Sequence, residues 1–86
     1  PDPESEYAGH AAEALLQQWM EKLTTQHRDV VLHRFGLHGH GRKTLEQVGK
    51  LLGVTRERVR QVQLAALSRL RDISSSQGYR ELPFMD

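Results

Sequence analysis

An all-α fold, a small four-helix domain closing on a helix-turn-helix, is what this sequence predicts, and three observations predict it. Apolar residues recur at spacings of three and four in successive segments, the period of an amphipathic helix. The segments are punctuated by Thr at their starts and by Gly36 and Gly53 at the ends of two of them, which are helix start and stop signals. No segment shows the period-two alternation of a half-buried strand. The chain has 86 residues, of which 37% are hydrophobic, so one small domain with a modest core is expected. It has no Cys, which excludes disulfides and thiolate zinc sites and agrees with a reducing cytoplasm. No apolar run approaches the length of a membrane span, and no signal peptide is visible. The first residue is Pro rather than Met, so a piece of a longer protein is expected.

Residues 1–10 read as an acidic linker or a cloning remnant, with Asp2, Glu4 and Glu6 and the two prolines Pro1 and Pro3. The domain is expected over 11–73 and a C-terminal tail over 74–86. From Ala11 to Leu23 the spacing predicts an amphipathic helix, with Ala12, Leu15, Leu16, Trp19, Met20 and Leu23 on one face. Trp19 is read as core, with docking of a partner as the other use of that face. Thr24 or Thr25 caps a second helix running to about Phe35, with Val30, Val31 and Phe35 inward. Gly36 ends it, and Leu37 is placed for the apolar contact that accompanies such caps. Arg28 and Arg34 are exposed candidates for phosphate contact, or plain surface charges.

His38 to Lys43 (HGHGRK) is a loop. His38 and His40 lack the remaining ligands a structural zinc needs, so no metal or other cofactor is expected. A basic loop is the better reading, with Arg42 and Lys43 near backbone phosphate. Thr44 and Gln47 form a capping box for the third helix, whose apolar face is Leu45, Val48 and Leu52. Gly49 is small where two helices would cross closely. Gly53 ends the helix where a left-handed residue is wanted. Val54 plugs the turn, and Thr55 caps the fourth helix with Val59, Val62, Ala66, Leu70 and Ile73 as its buried stripe.

Opposite that stripe lie Arg56, Glu57, Arg60, Gln61 and Leu64, with Arg58 beside them. Arginines, Glu and Gln clustered at a helix start are a base-reading set. An ordinary charged amphipathic helix pair is the alternative. The charge distribution favours the first reading. From Arg42 to Arg71 eight basic residues face two acidic, a net of +6, whereas Pro1 to Thr24 carries −4 and the whole chain +1. An electropositive half beside an acidic lead-in is the footprint of a nucleic-acid binder. In the tail, Leu82, Phe84 and Met85 form an apolar cluster that folds back, frays or engages a partner. No catalytic constellation emerges, so an enzyme is not expected.

At RFGL (34–37), TLEQVG (44–49), VTRERVRQVQ (54–63) and ALSRLR (66–71), the chain closely resembles region 4 of the bacterial sigma-70 family of RNA polymerase sigma factors. The resemblance covers roughly residues 23 to 73. LLQQWMEKL (15–23) and the QG step (77–78) look most like the stationary-phase sigma S subfamily. It implies a cytoplasmic module that recognises the promoter −35 element while bound to core RNA polymerase. Carried onto matching positions, Arg56, Glu57, Arg60 and Gln61 would contact bases. Arg34, Thr44, Leu45 and Lys50, with Arg42, Lys43, Thr55 and Arg58, would lie along the DNA backbone. Gln26 stands where the family often has Arg, so that phosphate contact is not carried over. The resemblance also implies that Phe35 and Leu37 line or support the groove that takes the polymerase β-flap helix. Arg69 and Arg71 would face activators, although Ala65 and Ser68 replace basic residues beside them. Two other readings stay open. One is a stand-alone helix-turn-helix regulator dimerising through Trp19 and Met20. The other is a protein-interaction module whose apolar groove takes an anti-sigma protein or activator.

Overall fold

The computed structural model describes residues 14–79 together with Leu82. The acidic lead-in, Ala12, Phe84 and Met85 lie outside the described residues. Helix α1 covers residues 14–21, α2 Thr25–Phe35, α3 Leu45–Leu52 and α4 Arg56–Ser76. Among the described residues there is no strand, so the all-α expectation holds.

The ends of the helices are set by local chemistry. The hydroxyls of Thr24, Thr44 and Thr55 accept from the backbone N–H three residues on, in His27, Gln47 and Arg58 respectively. Each satisfies one of the donors that a helix start leaves without a partner. At Thr44 the box is complete, because its own N–H donates to Gln47 Oε1 at 2.8 Å. Gly36 and Gly53 close α2 and α3 with φ of 64° and 73°, a conformation in which a Cβ would clash with backbone. After each, the next N–H reaches back five residues, Leu37 to Leu32 O at 3.0 Å and Val54 to Gly49 O at 2.9 Å. These are the six-to-one bonds of a Schellman cap.

Two apolar clusters share α4. Its first half places Val59 and Val62 with Val48 and Val30, flanked by Leu45, Leu52 and Val54. Its second half places Ala66, Leu67, Leu70 and Ile73 with Leu16, Trp19, Met20 and Leu23 of the N-terminal segment. Helix α2 joins the two, with Val30 in one and Val31 in the other, as neighbours about 100° apart on a helix permit. Burying each large side chain contributes roughly 1.5–3 kcal/mol.

Gly49 differs in detail from the sequence expectation. A Cβ there would meet Val54 O at 2.7 Å. The close approach is therefore to the backbone of the turn, not to a crossing helix. Trp19 and Met20 are 0% and 2% exposed, so neither is available as a dimer face or a partner contact. Helix α4 runs three residues past Ile73. Ser74 Oγ donates to Arg71 O at 3.1 Å and Ser76 Oγ to Ile73 O at 2.7 Å, so these hydroxyls are satisfied on the helix itself. Of the alternatives for the tail, its described part folds back. Trp19 Nε1–H donates to Gln77 Oε1 at 3.1 Å, Tyr79 meets Trp19 edge to face at 5.4 Å, and Leu82 joins the core.

Candidate nucleic-acid interface

The turn from Gly53 to Thr55 sets the first two turns of α4 at the surface. Val59 and Val62 anchor that stretch from below, and Arg56, Glu57, Arg58, Arg60, Gln61 and Leu64 are all exposed. Helical spacing of three and four gathers Glu57, Arg60 and Gln61 into one patch. Arg60 Nη2 donates to Glu57 Oε1 at 2.6 Å, and Arg60 Nε donates to both carboxylate oxygens at 3.2 and 3.1 Å. The hydrogen bond from Arg60 is the main reason the Glu57 carboxyl sits below the usual carboxylate range. The charges of Arg60 and Arg56 and a Gln61 hydrogen bond act the same way, against desolvation. The same pair holds Arg60 still more firmly protonated. Arg58 points away from this patch and donates to Gln26 Oε1 at 3.2 Å, tying α4 to the first turn of α2.

A second group of predicted residues surrounds the start of α3. Arg34, Thr44, Leu45, Glu46 and Arg56 line an open recess of about 320 Å³. Arg34 is not exposed as expected but half-buried. Its Nε donates to Gln63 Oε1 at 2.9 Å, and its Nη1 donates to Lys43 O at 2.6 Å. Lys43 N–H in turn donates to His33 O at 2.9 Å. The end of α2 thus grips the peptide groups on both sides of Lys43 and fixes where α3 begins. The capping box occupies the N–H groups of Thr44 and Gln47. Leu45 and Glu46, the first two helical positions, line the recess. A helix start beside two guanidinium groups favours an anion, against the charge of the Glu46 carboxylate.

Lys43, Arg42 and Lys50 lie around the next face, with Gly41, Gln47 and Leu51, lining a groove of about 510 Å³. Lys50 pairs with Glu46 at 3.7 Å, and Lys43 Nζ lies 3.3 Å from His33 Nδ1. Leu51 is 54% exposed, which the helical pattern did not single out. Phe35 and Leu37 are half-buried against the larger core cluster. Arg69 and Arg71 are exposed near the far end of α4. Arg28 is half-buried.

Three features escaped the sequence reading. His33 and His40 stack edge to face at 4.5 Å, a contact between a helix and a loop that no local pattern encodes. Gln63 carries no signal of its bond to Arg34, 29 residues earlier. Glu57 and Arg60, which pair at 2.6 Å, were read only as two separate base contacts. Among the described residues no group of three or more His, Cys, Asp or Glu is placed to hold a metal ion, and no helix is long and apolar enough to cross a membrane.

The description "Sigma-70, region 4" belongs to the family model that matches residues 19–72. Over 63 residues the chain is 51% identical to "RNA polymerase sigma factor RpoS" of Coxiella burnetii (strain RSA 493 / Nine Mile phase I). That alignment covers 73% of this chain and 18% of the relative, so the chain spans under a fifth of the length of the curated protein it matches.

Proposed function

This chain belongs to the sigma-70 region 4 family, a DNA-binding helix-turn-helix domain and not an enzyme, and from that premise we propose that it recognises the promoter −35 element. The observation that carries the reading is the exposed patch at the start of α4, Arg56, Glu57, Arg60 and Gln61, held out by the buried Val59 and Val62. A helix of this diameter enters the major groove, where arginine matches guanine O6 and N7, glutamine matches adenine, and a carboxylate accepts from cytosine N4. The recess at the start of α3 is the seat for a backbone phosphate. It places Arg34 beside Thr44 and the start of α3, with the Glu46 side chain turned to Lys50. Arg42, Lys43 and Lys50 extend the basic track along the same strand, and Thr55 and Arg58 flank the patch on the other side. Backbone contacts orient the domain, and base contacts choose the site.

One such helix reads only part of a major-groove face. The isolated domain therefore binds weakly, and useful affinity comes from tethering to core RNA polymerase through effective concentration. Phe35 and Leu37, at the edge of the larger core cluster, are the residues we assign to the polymerase β flap, and the exposed Arg69 and Arg71 to an activator. The site of action is the bacterial cytoplasm.

Fluorescence anisotropy with a duplex carrying TTGACA and a scrambled duplex, at two salt concentrations, tests the proposal. Preference for TTGACA is expected at both. Each phosphate neutralised should steepen the fall of log K against log salt by about 0.9. Equal, purely salt-driven binding to both duplexes would refute −35 recognition by this chain.

A further inference from the structure

Leu64 is the large apolar residue of α4 that neither core cluster takes. Val59, Val62, Leu67, Leu70 and Ile73 are all buried in one cluster or the other, whereas Leu64 is 54% exposed. A lone surface leucine is ordinary, but the register of this one is specific. Leu64 follows Glu57 by seven residues, close to two helical turns, so the two share a face about 10 Å apart along the axis. Arg60 and Gln61 stand between them on that face, at spacings of four and three, and both are exposed. The face that carries the reading patch therefore continues into an apolar end.

The chemistry of the major groove says what such a side chain meets. Base edges there present hydrogen-bond donors and acceptors, and thymine adds a C5-methyl that matches an apolar side chain. A polar side chain against that methyl would lose water without gaining a hydrogen bond, whereas leucine loses no such bond and removes apolar surface from water. One helical turn, about 5 Å, separates Leu64 from Arg60 and Gln61. Successive base pairs rise by about 3.4 Å, so the methyl in reach lies within about two base pairs of the pair that Gln61 reads.

We propose that Leu64 is a specificity-determining residue that packs on the C5-methyl of one thymine of the −35 element. This rests on the −35 reading above and adds an apolar contact to the polar ones of Arg56, Glu57, Arg60 and Gln61.

The test replaces each thymine of the TTGACA duplex in turn, on both strands, by deoxyuridine. The change removes the methyl and leaves every hydrogen-bonding group of the base in place. Binding of the parent, Leu64→Ala, Leu64→Met and Gln61→Ala is measured by anisotropy. At one thymine, deoxyuridine should weaken parent binding about fourfold, as burial of a single methyl implies. Leu64→Ala should show a similar loss on the unmodified duplex, and deoxyuridine at that thymine should then add less than about twofold, as expected for groups in contact. Leu64→Met keeps an apolar side chain of similar volume and should retain the dependence on the methyl. Circular dichroism melts should show Leu64→Ala as stable as the parent, because the site is exposed and alanine favours a helix. The sensitive thymine should lie within about two base pairs of the pair at which Gln61→Ala relaxes preference. The inference is overturned if no thymine shows a methyl effect in the parent, if Leu64→Ala leaves that effect intact, or if the sensitive thymine lies elsewhere. A parent chain with no preference for TTGACA overturns the −35 reading, and this inference with it.

Discussion

Replacing Gly49 by Ala probes the contact that sets the angle between α3 and α4. The new Cβ would lie 2.7 Å from Val54 O, with Arg56 N and Thr55 C both at 3.5 Å. The first separation is shorter than real Cβ atoms tolerate, and the obstacle is backbone that cannot rotate away. Intrinsic propensity pulls the other way, since Ala is favoured over Gly inside a helix by about 0.8–1.0 kcal/mol. Against that stand overpacking strain of about 1–3 kcal/mol and weakening of the Val54 N–H bond to Gly49 O, worth about 0.5–1.5 kcal/mol. The balance is a destabilisation of roughly 1–3 kcal/mol. The backbone that must retreat carries Thr55 and Arg56, so preference for TTGACA should fall even where the variant is fully folded. Gly53→Ala separates the two effects. It meets open space but keeps φ at +73°, so about 1–2 kcal/mol of stability is lost with preference retained. Urea denaturation followed by circular dichroism, together with anisotropy, measures both quantities. A Gly49→Ala chain that gains the full propensity increment and binds like the parent would refute the role assigned to this glycine.

Other perturbations follow from the same geometry. Leu70 is fully buried between α4 and the N-terminal segment, so Leu70→Ala should lower urea stability by about 2–5 kcal/mol. Thr44→Ala removes half of the capping box and should reduce stability by about 1 kcal/mol, with weaker binding to all duplexes alike because the start of α3 frays. His33 sits below its ordinary value because of burial first, then the charges of His40 and Lys43, against the opposing effect of Asp29. The unfolded chain therefore binds that proton more tightly than the folded one. This contribution to stability is complete above the ordinary value and declines as pH falls through it. The melting temperature should drop between about pH 7.5 and about pH 5.5, and His33→Gln should flatten that drop. An identical slope in the variant would exclude His33 as the cause.

Features decided within four or five residues were legible in the sequence. Thr44 with Gln47, Thr55, Gly36 and Gly53 were readable because a cap is a bond between near neighbours, and each lies where the spacing predicted. The stripe from Val59 to Ile73 was readable because burial follows the helical period. Bonds that cross the fold were not. Nothing near Arg34 announces Gln63 or the carbonyl of Lys43, so a half-buried latch was read as a surface charge. The serines after Ile73 are as compatible with a turn as with a helix, and their bonds to Arg71 O and Ile73 O favour the helix. The apolar face of the first helix did not say whether Trp19 met a partner or this chain's own tail. Gln77, Tyr79 and Leu82 close that choice for the described part of the tail.

We propose that the start of α4 reads bases while the start of α3 holds the backbone. The direct measurement is the binding of the parent, Arg56→Ala and Arg34→Ala to a panel of TTGACA duplexes, each changed at one base pair. Arg56→Ala should lose about 1–3 kcal/mol on every duplex that keeps one particular base pair and nothing further where that pair is changed. Arg34→Ala should weaken all members of the panel alike. A uniform loss from Arg56→Ala across the panel would contradict the claim and leave α4 as a basic docking surface.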